Sequence, residues 1–255
     1  MIRVASICKH FGGLLAVDQV SLTIAPSTIT GLIGANGAGK TTLFNIIAGE
    51  MLPSAGRVFL GERDITGLPS YELCAIGMAR TFQIAREFRH LTVLENVLCA
   101  AGGQSGENIL NAWLARRRWQ NEEKQLRREA EDILDFLKLS HLADAPAGIL
   151  SGGQKKLLEL GRVMMAKPQM VLLDEVGAGV NKTLLGDIAT AILRLNAERG
   201  ITFFMIEHDL DFLGRLCSSV IVMANGAVLA RGSIDEIKNN EAVIESYLGR
   251  RQGER

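Results

Sequence analysis

The chain has 255 residues, enough for one large domain or two small ones, and its 47% apolar content allows a sizeable buried core. Lys plus Arg total 28 and Asp plus Glu total 28, so a zero net charge supplies no global attraction to nucleic acid or anionic lipid. Of the cysteines Cys8, Cys74, Cys99 and Cys217, the nearest pair is 25 positions apart; with no metal-ligand spacing among them, they read as reduced thiols, the alternative being a disulfide pair. The opening "MIRVASICKHFGG" lacks the apolar core of a signal peptide, and no apolar run approaches the roughly 18 residues of a bilayer span. If the protein serves a membrane, other subunits do the crossing.

In chain order, residues 2–8, 17–24 and 28–33 predict short strands, with the clearest alternation in "VDQVSLTIA". "GLIGANGAGKTTLFNIIAGE" runs from apolar strand through glycine loop to helix. "GRVFL" predicts a strand, "GERD" a turn, and residues 71–80 a helix. From about 87 to 166 helical spacing dominates. "RRRWQNEEKQLRREAEDILDFLKL" places Leu126, Ile133, Leu134 and Leu137 at helical intervals, and "GGQSGEN" at 102–108 is a loop signal.

Strand character returns at "MVLLDE" (170–175), a continuous apolar run suited to a buried parallel strand. Residues 182–198 predict a helix with Leu185, Ile188, Ile192 and Leu195 on one face, and "ITFFMIEH" (201–208) a second buried strand. "SVIVMANGAVLARG" (219–232) predicts a hairpin turning at Asn225-Gly226. Two short helices follow, the first capped by Ser233 with Glu236 at the capping-box position. The whole is an α/β chain with a helical subdomain set into it.

Residues Gly34-Ala35-Asn36-Gly37-Ala38-Gly39-Lys40-Thr41 fit the G-x-x-x-x-G-K-[ST] phosphate loop, with strand before and helix after. Its glycines let backbone N–H groups wrap an anion, the helix start favours negative charge, Lys40 suits the β and γ phosphates, and the Thr41 hydroxyl suits Mg²⁺. Thr42 follows in the same turn. Asp174, ending "MVLLD", has the place of a magnesium-holding carboxylate, and Glu175 that of a general base for a water attacking the γ phosphate. The plainer alternative is a solvated acid pair. His208, in "MIEHD", reads as a γ-phosphate contact once a nucleotide site is granted and as a structural histidine otherwise. Gln83, in "RTFQIAREF", carries an amide oxygen able to hold magnesium or water. "LSGGQ" at 150–154 sets Ser151, Gly152, Gly153 and Gln154 ahead of a helical run, a second phosphate cradle in one small chain.

Together "GANGAGKT", "TFQ", "LSGGQ", "VLLDE" and "EHD" resemble an ATP-binding cassette (ABC) transporter subunit, over nearly the whole chain. The resemblance implies one domain over 1–255. Residues 1–86 and 167–255 would form a phosphate-loop NTPase core with a mainly parallel sheet and an N-terminal antiparallel β subdomain. Approximately 87–166 would be the inserted helical subdomain.

It implies ATP and Mg²⁺ as ligands, with Phe11 stacking on adenine and Thr41, Gln83 and Asp174 at the metal. It also implies a head-to-tail dimer with an identical or paralogous ATPase, in which the 151–154 cradle caps the nucleotide of the opposing subunit. That accounts for two cradles in one chain. Asn181 would be a cross-dimer contact, and Val176 stands where relatives usually have proline.

"FGGLLAVDQVSL", "RTFQIAREFRHLTVLENV" and "IESYLG" resemble the ATPases of branched-chain or hydrophobic amino-acid importers of bacteria and archaea. That resemblance implies a peripheral subunit on the cytoplasmic face of the cell membrane. It would serve two permeases and, indirectly, a substrate-binding protein, with no nucleic-acid partner. A groove near Phe82, Ile84, Phe88 and Leu91 would receive the permease, unless these side chains are core. Arg116 to Arg118, beside Trp113 and Trp119, form either a headgroup contact or a solvated helix face. Urea or amide importers, lipid exporters and soluble regulatory ABC ATPases are the alternatives. The regulatory class expects loss of the general base, which this chain retains.

Overall fold

Alternating side chains in the first sixty residues build an antiparallel sheet with one covered face. The computed structural model describes residues 1–81, 87–102, 116–177 and 179–248, without the side chains of 116–118 and 247–248. Strands β1 (Ile2–Phe11), β2 (Leu14–Ile24), β4 (Ala55–Leu60) and β5 (Arg63–Asp64) pair in the order β2-β1-β4-β5. Ile2, Val4 and Ile7 of β1 and Val20, Leu22 and Ile24 of β2 are buried. Register shifts occur between Val4 and Ile7, and Ser6 and Gln19 have positive φ. These are bulges, which bend the strands over the core. Arg63 and Asp64 extend a predicted turn into a two-residue edge strand.

The second sheet has the order β10-β9-β3-β8-β7-β6. Its central strands β3 (Ile29–Ile33), β7 (Met170–Asp174) and β8 (Thr202–Ile206) are parallel and buried along their whole length, as apolar runs covered on both faces must be. Strands β9 (Ser219–Ala224) and β10 (Ala227–Gly232) form the hairpin, with positive φ at both Asn225 and Gly226. On one face lies helix α1 (Lys40–Ile47), its Phe44 ring centroid 5.5 Å from that of Phe204.

The predicted helix over 71–80 stops early. Helix α2 is Ser70–Ala75; Gly77 turns the chain at φ 89°, and Met78–Arg80 become strand β6 beside β7. The backbone N–H groups of Gln169 and Met170 both donate to the Gly77 carbonyl, which fixes that turn.

The chain divides into two compact units, one of residues 1–80, 169–177 and 192–255, the other of 81–168 and 178–191. The second unit is helical: α3 (Val93–Leu98), α4 (Arg116–Phe136) and α5 (Gly152–Met165). They meet at Gly161, where a Cβ would lie 3.0 Å from Leu137, 3.4 Å from Ile133 and 3.5 Å from Val97. Ile133, Leu134 and Leu137 are buried as their spacing predicts, and Leu126 is half-buried. Helix α6 (Lys182–Arg199) contributes to both units. Helices α7 (Leu210–Leu216), α8 (Ile234–Lys238) and α9 (Glu241–Leu248) complete the first, and α8 carries the expected capping box between Ser233 and Glu236. All four cysteines are free thiols, and burial pushes Cys217 up to about 12, far from thiolate reactivity.

Candidate functional site

The phosphate loop follows directly from the burial of β3. The strand leaves the sheet at Ile33, and the chain must turn back within six residues to start α1. Gly34 and Gly39 make the turn possible at φ 151° and 92°. They also leave room, since a Cβ on Gly34 would fall on the Met223 carbonyl oxygen and one on Gly39 on that of Ala16. The Asn225-Gly226 turn supports the loop from behind. Gly226 N–H donates to the Ala38 carbonyl at 3.2 Å, and Asp18 N–H to the Gly226 carbonyl at 2.8 Å. No side chain caps the start of α1, so its first N–H groups are free to bind an anion.

The Lys40 ammonium is buried and donates to the carbonyls of Gly34 at 2.7 Å and Ala35 at 3.0 Å. Burial lowers its pKa from the ordinary lysine value, while the charge of Glu175 acts in the opposite direction. Thr41 is exposed and Thr42 half-buried in the first turn of α1. Ala35, Asn36 and Gly37 line a cavity of about 710 Å³ together with Asn225, Leu229 and Glu245.

The ends of β7 and β8 bring the predicted acids and histidine together. Asp174 is buried at the last position of β7, and its Oδ2 accepts from Arg80 Nη2 at 2.9 Å. Glu175 steps out of the strand at φ 47°, its N–H donating to the Ile206 carbonyl. Its Oε1 lies 3.0 Å from His208 Nε2. Glu207, buried beside His208, accepts from Gly177 N–H at 2.7 Å and so holds the turn that follows Glu175.

Arg80 and Glu207 escape a motif reading. The available signals were an arginine closing the apolar segment "MAR" and an acid inside the apolar run "ITFFMIEH". Each demands a buried partner, which the sequence leaves unnamed.

Phe11 stands 46% exposed at the end of β1, with the Lys9 ammonium 5.3 Å from its ring centroid. Gln83 lies outside the described residues, as do Phe82, Ile84 and Trp113 of the predicted docking and headgroup contacts. In the second unit, Ser151 N-caps α5: its Oγ accepts from Gln154 N–H at 3.4 Å, while Gln154 Oε1 accepts from Ser151 N–H at 2.9 Å. Gly152 and Gly153 are helical with no positive φ, so the second cradle is a capped helix start. A Cβ at Gly152 would meet nothing within 4 Å, whereas one at Gly153 would fall on Leu184 of α6. Asn181 Oδ1 accepts from Leu184 N–H at 2.9 Å and so serves the start of α6.

A phosphate loop between a buried parallel strand and a helix, with an acidic pair ending a nearby strand of the same sheet, defines a nucleotide-binding P-loop ATPase fold. The family model described as ABC transporter matches residues 17–178, and that described as branched-chain amino acid ATP-binding cassette transporter matches 227–252. A probable branched-chain amino acid transport ATP-binding protein of Methanocaldococcus jannaschii is 42% identical over 253 residues, covering 98% of this chain and 97% of the relative. The protein of the same name from Archaeoglobus fulgidus is 40% identical over 254 residues, covering 100% and 97%. Among solved structures, a nucleotide-free ATP-binding cassette from an ABC transporter superposes with TM-score 0.82 at 42% identity, covering 98% of this chain and 99% of that one. An ATP-binding cassette in its ADP conformation gives 0.83 at 40% identity and 98% of both chains. The chain belongs to the ABC transporter family, as one of its nucleotide-binding ATPase subunits. Among the described residues no helix is long and apolar enough to cross a membrane.

Proposed function

We propose that this subunit powers an importer of branched-chain or related hydrophobic amino acids from the cytoplasmic face of the cell membrane. The observation that carries the cargo is the near full-length identity of 40–42% to relatives named for branched-chain amino acid transport. The partners are a second ATPase chain, identical or paralogous, and two permease subunits fed by a binding protein.

The chemistry divides among residues at the strand ends. The phosphate-loop N–H groups and Lys40 hold the β and γ phosphates. Glu175 takes the proton of the attacking water, and His208, 3.0 Å from it, orients that carboxylate and contacts the γ phosphate. Thr41, Asp174 and Gln83 are the magnesium ligands, and Phe11 the adenine platform. The donor set suits magnesium: Asp174 supplies one hard carboxylate and Thr41 a hydroxyl. Mg²⁺ keeps several waters and takes its remaining ligands from phosphate. When bound, the ion neutralises charge on the β and γ phosphates.

Ser151, Gly152, Gly153 and Gln154 cap the nucleotide of the opposing chain. ATP then clasps two subunits, and hydrolysis releases them. Moving such an equilibrium from 1:99 to 99:1 takes about 5.5 kcal/mol of differential affinity. A few charge-assisted hydrogen bonds of roughly 1.5–3 kcal/mol each are enough.

The test is phosphate release by the chain alone and in proteoliposomes with the two permease subunits it serves. Low basal release should rise when a leucine-, isoleucine- or valine-loaded binding protein is added, and urea-loaded or empty binding protein should leave it low. Stimulation by urea or lipid in place of these amino acids overturns the cargo assignment.

A further inference from the structure

Strand β6 is paired with β7 so that Arg80 lies opposite Leu172. Side chains two apart on a strand share a face, so an arginine opposite Leu172 can reach along the sheet to Asp174. It does so, with Nη2 2.9 Å from Asp174 Oδ2, while Nη1 lies 2.8 Å from Glu50 Oε2 just beyond α1. The guanidinium carbon is 5.4 Å from the Phe44 ring centroid. One buried arginine thus ties the carboxylate at the end of β7 to the helix that begins at the phosphate loop. The Arg80 side chain is 13% exposed and that of Asp174 10%. Among the described residues the second oxygen of Asp174 has no hydrogen-bond partner.

We propose that Arg80 is a positioning residue for magnesium-nucleotide binding, engaging one oxygen of the Asp174 carboxylate so that the other is held ready for the ion. The inference rests on the reading of Asp174 as a magnesium ligand. A planar guanidinium suits the task because it hydrogen-bonds one acid through Nη2 while its charge pairs with a second acid beside Nη1. The Glu50 arm and the Phe44 face keep it from following the carboxylate when the ion binds. A lysine would keep the charge and lose the second arm.

The test uses the full chain and a fluorescent ATP analogue, titrated first in EDTA and then with increasing Mg²⁺, with Mn²⁺ binding followed in parallel by electron paramagnetic resonance. For Arg80→Met, nucleotide affinity in EDTA should stay within about twofold of the parent, while the metal concentration for half-maximal response rises about tenfold. Arg80→Lys should raise it in the same direction by a smaller factor, and it carries the test if the methionine variant fails to fold. Glu50→Gln, which frees the second arm, should fall between the parent and Arg80→Met.

A parental metal response in the folded Arg80 variants overturns the proposal. So does an equal loss of affinity with and without metal, which would make Arg80 a structural pin between β6 and β7. Asp174→Asn is the control. It should abolish the metal-dependent gain, and a gain left intact would sink the ligand reading of Asp174 itself, whatever the Arg80 variants do.

Discussion

Single atoms decide whether the phosphate loop can exist. At Gly34 the missing Cβ would occupy the place of a backbone carbonyl, and carbonyls of a sheet do not yield. At Gly37 φ is 81° but nothing lies within 4 Å. The two positions therefore fail differently. Gly37→Ala should cost only the left-handed backbone penalty, about 1–2 kcal/mol. Gly34→Ala adds a clash with Met223 and should cost about 3 kcal/mol or more. Urea denaturation of the two variants measures both; equal losses would mean that space at Gly34 is irrelevant.

The same scale shows what could be read in advance. Lys40, Asp174, Glu175 and His208 stand at loop or strand ends announced by glycines or apolar runs. Arg80 and Glu207 take their meaning from partners brought close by the pairing of distant strands and by the turn after Glu175. No local signal names those partners.

Elements were legible where periodicity was unmixed and misread where it was short. The buried strands 170–174 and 202–206 and the helix 182–199 follow from continuous or helical apolar spacing. Residues 71–80 carry both patterns in ten positions, and the decision is made by Gly77 and its two hydrogen bonds to the neighbouring strand. At "SGGQ" the local signal is a capping box, which Ser151 and Gln154 close around the start of α5.

Two other capping boxes, Thr92 with Glu95 and Ser233 with Glu236, titrate. Hydrogen bonds, first from the Thr92 backbone and hydroxyl to Glu95 and likewise from Ser233 to Glu236, hold both carboxyls below the ordinary glutamate value of 4.5. A depressed native pKa gives stability that is complete above the unfolded value and is lost as pH falls through the native one. The urea midpoint should therefore fall as pH drops below about 4.5. The double variant Glu95→Gln, Glu236→Gln keeps both acceptors and removes both titrations, so its midpoint should fall less steeply over that window. A slope identical to the parent's would show that other carboxylates carry the acid response.

At the scale of the whole molecule, the proposed capping of one chain's nucleotide by another asks for a second copy or a paralogue. Glu175→Gln should lower turnover by about 10²-fold or more while prolonging an ATP-held dimer, visible by gel filtration with ATP and magnesium. A variant that stays monomeric at high concentration would mean that the clasp forms only with the permeases present. Ser151→Arg should impair hydrolysis yet leave nucleotide binding near parental; loss of binding in a folded protein would overturn the reading in which one chain caps the other's nucleotide.

The floor of the phosphate loop carries a consequence for biosynthesis. The loop spans residues 34–41, but its supports are Ala16 and Asp18 on one side and Met223 and Gly226 on the other. A ribosome has therefore released the loop long before the hairpin that steadies it. Truncated chains released before residue 219 should be unable to retain nucleotide, and those released beyond 232 should gain that ability in a single late step.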